Sequence, residues 1–95
     1  MNLLDQTFVR SKNTAFENAA GETLILDLDS GSYFGVGEVG GFVWERLDGS
    51  RSLAAIADEL LEVYEVELEV VRVDLLALIE NLSEKGLVRL SDLGE

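Results

Sequence analysis

Cysteine, histidine and proline are all missing from the 95 residues. Without cysteine there is no disulfide, thiolate nucleophile, iron–sulfur cluster or cysteine zinc site. Without histidine the commonest metal ligand and the commonest general base near neutral pH are gone. Without proline no rigid linker marks a boundary. Aromatic residues are scarce, at 7%, so the core must come largely from Leu, Val, Ile and Ala. Positive charge is scarce too: seven Lys and Arg face nineteen Asp and Glu, a net charge of −12. The bases are scattered, as Arg10, Lys12, Arg46, Arg51, Arg72, Lys85 and Arg89. That field repels nucleic acid and anionic membranes. No run approaches the roughly 20 apolar residues of a membrane span, and Met1–Arg10 has no basic n-region. A soluble cytoplasmic protein is expected.

What is present is an ordinary globular balance, 47% apolar and 27% charged. The length suits one domain over 1–95, with its core at about 14–90, and is too short for most stand-alone enzyme scaffolds. Ala15–Glu17 reads as a short strand, followed by a turn at Asn18–Gly21. Thr23–Leu28 alternates, with Leu24, Leu26 and Leu28 on one face. Asp29-Ser30-Gly31-Ser32 is a turn cluster, in which Asp and Ser cap the backbone and Gly permits positive φ. Ser32-Tyr33-Phe34-Gly35-Val36 returns as a strand, and alternation makes one of Tyr33 and Phe34 a core residue.

Three helices should follow. Glu38–Leu47 carries Val39, Phe42, Val43 and Leu47 at helical spacing, with Trp44 beside them, and Asp48-Gly49 ends it. Ser52 caps a second helix with a stripe of Leu53, Ile56, Ala57, Leu60, Leu61 and Tyr64. The third spans about Glu67 to Lys85, with Gly86 at C′. With Val71 at zero and about 100° per residue, Leu68, Leu75, Leu78, Ile79 and Leu82 fall within roughly 80°. Arg72, Leu76 and Val73 fall outside, at about 100°, 140° and 200°. Leu87–Leu90 resumes β-like alternation. From Asp58 to Glu69 six acids occur without a base, a solvated face or a surface that favours a basic partner. The expected class is α+β, a winged helix-turn-helix-like domain with a small three-stranded antiparallel sheet followed by three helices.

Two motifs imitate binding sites. Gly35-Val36-Gly37-Glu38-Val39-Gly40 matches G-x-G-x-x-G, but a dinucleotide site needs a parallel strand after the helix, and here a second helix follows. The glycines instead relax a strand-to-helix turn and let the first helix pack closely. Asp27-Leu28-Asp29-Ser30-Gly31, with Glu38, imitates a calcium loop, but its glycine is one place early and no helix precedes it. No nucleophile, metal constellation or phosphate loop accompanies the carboxylates, so neither a cofactor nor an enzymatic activity is expected.

The run Leu26–Phe34, the Val43-Trp44-Glu45-Arg46-Leu47-Asp48-Gly49 block, Ile56–Leu60, Asp74–Leu82 and Gly86-Leu87-Val88 together resemble the coenzyme PQQ synthesis protein D family over about Thr14 to Leu90. Gly37 departs from the pattern, since many relatives place there an Asn that would cap the first helix. The resemblance implies a recognition element for ribosomally made, later modified peptides, such as the precursors of PQQ or of lasso peptides. It implies binding of the precursor's leader as an added strand, in a cleft between the third strand and the third helix. The leader would then pass to a modifying enzyme, such as a radical SAM protein, a cyclase or a protease. The peptide-binding residues so implied are Ser32, Tyr33, Phe34, Gly35 and Val36, with Arg72 and Leu76 on the helix. Strand addition suits an apolar edge that lacks charge and Pro. Two other roles compete: a structural subunit that dimerises through the same edge, and a DNA-binding winged helix. The second conflicts with Glu67, Glu69, Asp74, Glu80 and Glu84 on the third helix.

Overall fold

The computed structural model describes residues 3–91. After a single 3-10 turn at Leu3–Asp5 the elements are β1 (Thr7–Arg10), β2 (Thr14–Ala19), β3 (Glu22–Asp27), β4 (Tyr33–Val36), α1 (Glu38–Glu45), β5 (Asp48–Ser52), α2 (Leu53–Val63), α3 (Leu68–Glu84) and β6 (Val88–Leu90). The strands form two antiparallel sheets, ordered β2-β3-β4 and β5-β1-β6. The α+β class and the three-stranded meander are as the pattern predicts, and the helices with flanking antiparallel strands are compatible with a winged helix-turn-helix.

The meander is set by register. Phe16 lies opposite Ile25 and Ile25 opposite Phe34, so these three share one face, and the next row is Asn18, Thr23 and Val36. That face meets α1: Ile25 is fully buried, and Phe34 and Val36 pack on the core. Ala15, Leu26 and Tyr33 share the other face, where Tyr33 is 67% exposed. Of the two aromatics, Phe34 is therefore the inward one. The apolar triplet Leu24, Leu26 and Leu28 is on the solvent side, with Leu28 exposed. Alternation identifies two faces but not which one α1 covers.

The β3–β4 turn is closed by Asp27, whose backbone N–H donates to the Ser32 carbonyl at 2.9 Å. Its carboxylate accepts from the Asp29 N–H and the Ser30 hydroxyl, each at 3.0 Å. The calcium-like run is thus a capped turn. Among the described residues no cluster of three or more acids could hold a metal ion. The glycine run opens α1 between two antiparallel pairings, so it belongs to no parallel β-α-β unit. Close packing explains part of it, because a Cβ at Gly41 would fall on the Thr23 hydroxyl and one at Gly40 would come 2.8 Å from the Val36 Cβ.

The second sheet corrects two expectations. The segment before residue 14 is part of the core, since β1 is the central strand and its Phe8 is buried. The first helix stops at Glu45 with Arg46 as its C-cap, short of the expected Leu47. Asp48-Gly49 begins β5 instead of ending the helix, and β5 pairs with β1 through Val9↔Asp48 and Thr7↔Ser52 around a register shift. Arg10 links β1 to α1. Its guanidinium donates to the Trp44 and Glu45 carbonyls at 2.8 and 2.9 Å, capping the negative end of the helix.

The helices otherwise follow their apolar periodicity. The Ser52 hydroxyl accepts from the Ala55 N–H at 3.2 Å and caps α2. Gly86, at φ +73°, closes α3: the Leu87 N–H donates to the Leu82 carbonyl at 2.9 Å and the Gly86 N–H to that of Ser83 at 3.0 Å, a left-handed turn that glycine adopts without a Cβ penalty. Val71, Leu75, Ile79 and Leu82 are buried, whereas Leu68 is exposed at the first turn and Leu78 is half-buried. With Trp44, Leu47, Leu53, Ile56 and Leu60 they make one core beneath both sheets. Among the described residues no helix is long and apolar enough to cross a membrane.

Candidate functional site

β4 is bonded to β3 on one side only, so its other backbone edge has no strand partner among the described residues. Such an edge presents a row of unpaired amides and carbonyls. β2 is the opposite edge of the same sheet, and it carries Glu17 and Asn18. What separates the two is what lies across from them. The open edge of β4 borders a groove of about 410 Å³ whose far wall is α3.

The near wall of this groove is Gly35, Val36 and Gly37, continued by Val39 and Gly40 of α1. The far wall is Val66, Val70, Asp74, Leu78 and Asn81, and Val71 and Leu75 line its depth. The lining is mostly apolar and branched, with Val39, Val66 and Val70 all more than 40% exposed. At the Phe34 end, Lys85 Nζ lies 5.4 Å from the ring centroid and donates to Asn81 Oδ1 at 2.8 Å.

The residues expected here separate into two groups. Gly35 and Val36 line the groove. Phe34 is turned into the core beneath it, Tyr33 is on the outer sheet face, and Ser32 belongs to the hairpin turn. Arg72 and Leu76 do not line it: Arg72 donates to Glu69 at 3.3 Å along the helix, and Leu76 packs half-buried on the core. Relative to Val71, Val70, Asp74 and Leu78 sit at about −100°, −60° and −20°, and Arg72 and Leu76 at about +100° and +140°. The sequence offers both flanks. Val70, a half-exposed Val outside the core stripe, was the available signal for the flank that faces β4.

Beside the groove, α2 is tied to its neighbours by an ion-pair network. Glu59 accepts from the Arg51 guanidinium at 2.9 Å and from Arg46 Nε at 3.2 Å, joining α2 to β5 and to the end of α1. The hydrogen bond from Arg51 is the main cause that holds the Glu59 carboxyl below the usual carboxylate range, with Arg46 adding to it against the effect of burial. Arg46 also stacks 3.4 Å from the Phe42 ring centroid, and Phe42 meets Tyr64 edge to face at 5.8 Å. Desolvation first, then the Glu38 carboxylate, pushes the Tyr64 phenol up. Neither perturbed group is set beside a nucleophile, so this is a structural network.

The chain is similar over most of its length to two solved structures. One is TbiB1 in complex with the TbiA(beta) leader peptide, at 26% identity and a TM-score of 0.75, covering 92% of this chain and 99% of that one. The other is lasso peptide synthetase B1 complexed with the leader peptide, at 27% identity and a TM-score of 0.76, covering 86% and 96%. No curated protein matches the chain. The family model of coenzyme PQQ synthesis protein D matches residues 22–88, which run from the first residue of β3 to the first of β6 and contain β4, α3 and the groove between them. The chain belongs to the coenzyme PQQ synthesis protein D family.

Proposed function

We propose that this protein binds the leader segment of a ribosomally made precursor peptide as a strand added to β4, and presents it to a modifying enzyme. The observation that carries the reading is the pairing of a strand edge, unbonded among the described residues, with a mostly apolar wall formed by α3 between Val70 and Asn81. An extended peptide laid there bonds its backbone to β4 and seats alternate side chains among Val36, Val39, Val70 and Leu78. The leader-peptide complexes among the similar structures support it. The role needs no catalytic group, and the protein acts as a carrier rather than an enzyme. Its place of action is the cytoplasm, where the precursor is made. The groove residues are Gly35, Val36, Val39, Val70, Asp74 and Leu78, in place of Arg72 and Leu76.

Amide NMR titration with the leader of the precursor encoded beside this gene tests it. Saturable shifts at Gly35, Val36, Val70 and Leu78, and none with a short DNA duplex, are the expected result. Absence of shifts with the peptide overturns the reading. Shifts at β4 that grow with protein concentration alone assign the edge to a second copy of the chain.

A further inference from the structure

Asp74 is the sole charged residue among those lining the groove. It sits on the wall of α3 between Val70 and Leu78, one turn from each. Several acids elsewhere are engaged; what sets Asp74 apart from the other solvated carboxylates is its place in the groove wall. Glu59 holds two arginines, Glu69 holds Arg72, Asp48 accepts from Ser50 and Asp27 caps its turn. Asp74 has no hydrogen bond or ion pair among the described residues. Of the cations on or at the end of α3, Arg72 is paired with Glu69, and Lys85 is bonded to Asn81 and beside Phe34. Glu38, at the first turn of α1, acts on Tyr64 and is not among the residues lining the groove.

We propose that Asp74 is a specificity-determining residue that selects a Lys or Arg in the bound segment. The inference rests on the groove being a strand-binding site. A strand seated between Val36 and Leu78 covers Asp74 and removes the water that now solvates its carboxylate. An unpaired carboxylate stripped of water is strongly unfavourable. A segment that brings a cation to this point turns the penalty into a charge-assisted hydrogen bond, and one that brings an acid or an apolar residue is rejected. The flanking residues fit the long stem of such a side chain, because Lys and Arg lay their methylenes on apolar surface while the charged head reaches a partner. The net charge of −12 favours the same class of segment at longer range. The recognised pattern is therefore an extended stretch with one basic residue flanked, two positions away on each side, by apolar residues on the same face.

Display of a random twelve-residue peptide library, selected on the full chain and on its Asp74→Asn and Asp74→Lys variants, tests this. Circular dichroism first establishes that the variants fold, as an exposed helical position allows. The wild-type pool is expected to be rich in Lys or Arg at one position between apolar residues. Asp74→Asn loses that preference, Asp74→Lys replaces it by Asp or Glu, and both keep the apolar positions. Replacing the basic residue of a selected peptide by norleucine is expected to weaken binding to the wild type roughly fivefold to tenfold, and to leave Asp74→Asn unaffected. Pools with the same charge preference for all three proteins overturn the role of Asp74 while leaving the groove intact. Failure to enrich any peptide overturns the groove reading and this inference with it.

Discussion

The two flanks of α3 carry similar chemistry and meet different surroundings. One presents Val70, Asp74, Leu78 and Asn81 to the open edge of β4. The other presents Arg72 and Val73 to solvent and Leu76 to the core margin. Each has apolar residues outside the buried stripe and each has a charge. Exposed apolar side chains are ordinary on a helix, and those of the second flank remain so. On the first, the same kind of residue becomes the wall of a groove, because the edge of β4 that has no strand partner among the described residues runs opposite. The groove is a property of two elements, and neither shows it alone.

The largest expected effect separates the flanks directly. Val70→Asp or Leu78→Asp should weaken leader binding by about 1–3 kcal/mol, the usual scale for an interface anchor. Val73→Ser and Arg72→Ala on the other flank should leave affinity unchanged. Calorimetric titration of all four variants checks this, and equal losses on both flanks would erase the distinction.

A smaller effect concerns the ion-pair brace that ties α2 to β5 and to the end of α1. The folded-state pKa of Glu59 is depressed by Arg51 and Arg46. Its contribution to stability is therefore present above the ordinary carboxylate value of 4.5 and is lost as pH falls from there through the folded value. Glu59→Gln should melt below the wild type at pH 7, and the gap between the two should narrow as pH falls towards 3.5. A melting profile of Glu59→Gln that runs parallel to the wild type over this range would remove the brace from the account.

The smallest effect lies where α1 begins. Gly37 is the N-cap and offers no side-chain acceptor to the first turn, and nothing lies within 4 Å of a Cβ added there. Gly37→Asn should stabilise the unliganded protein by a few tenths of a kcal/mol, read as a slightly raised denaturant midpoint. A lowered midpoint would mean that the near wall relies on glycine for more than space.

Much of this architecture was legible in the residues. The three helices were announced by their stripes and by Ser52 and Gly86, and the β3–β4 hairpin by Asp29-Ser30-Gly31-Ser32. β5 was not, since Asp-Gly-Ser-Arg-Ser has no apolar period and is a strand only because β1 bonds it. β1 is four residues long and gains its role from β5 and β6 on either side. Gly35 and Val36 read as an edge in the sequence and line the groove; of the helix, Val70, Asp74 and Leu78 line it, and Arg72 and Leu76 do not.

Local chemistry by itself determined the three helices, the cap at Ser52 and the stop at Gly86, the turns, the absence of histidine and cysteine chemistry, and the net charge of −12. Those depend on neighbours in sequence or on composition. Tertiary packing decided which face of β3 is buried, that Phe34 rather than Tyr33 points inward, and which flank of α3 looks at β4. Periodicity specifies faces only relative to one another, and the contact that breaks the tie joins residues as distant in the chain as Val36 and Leu78.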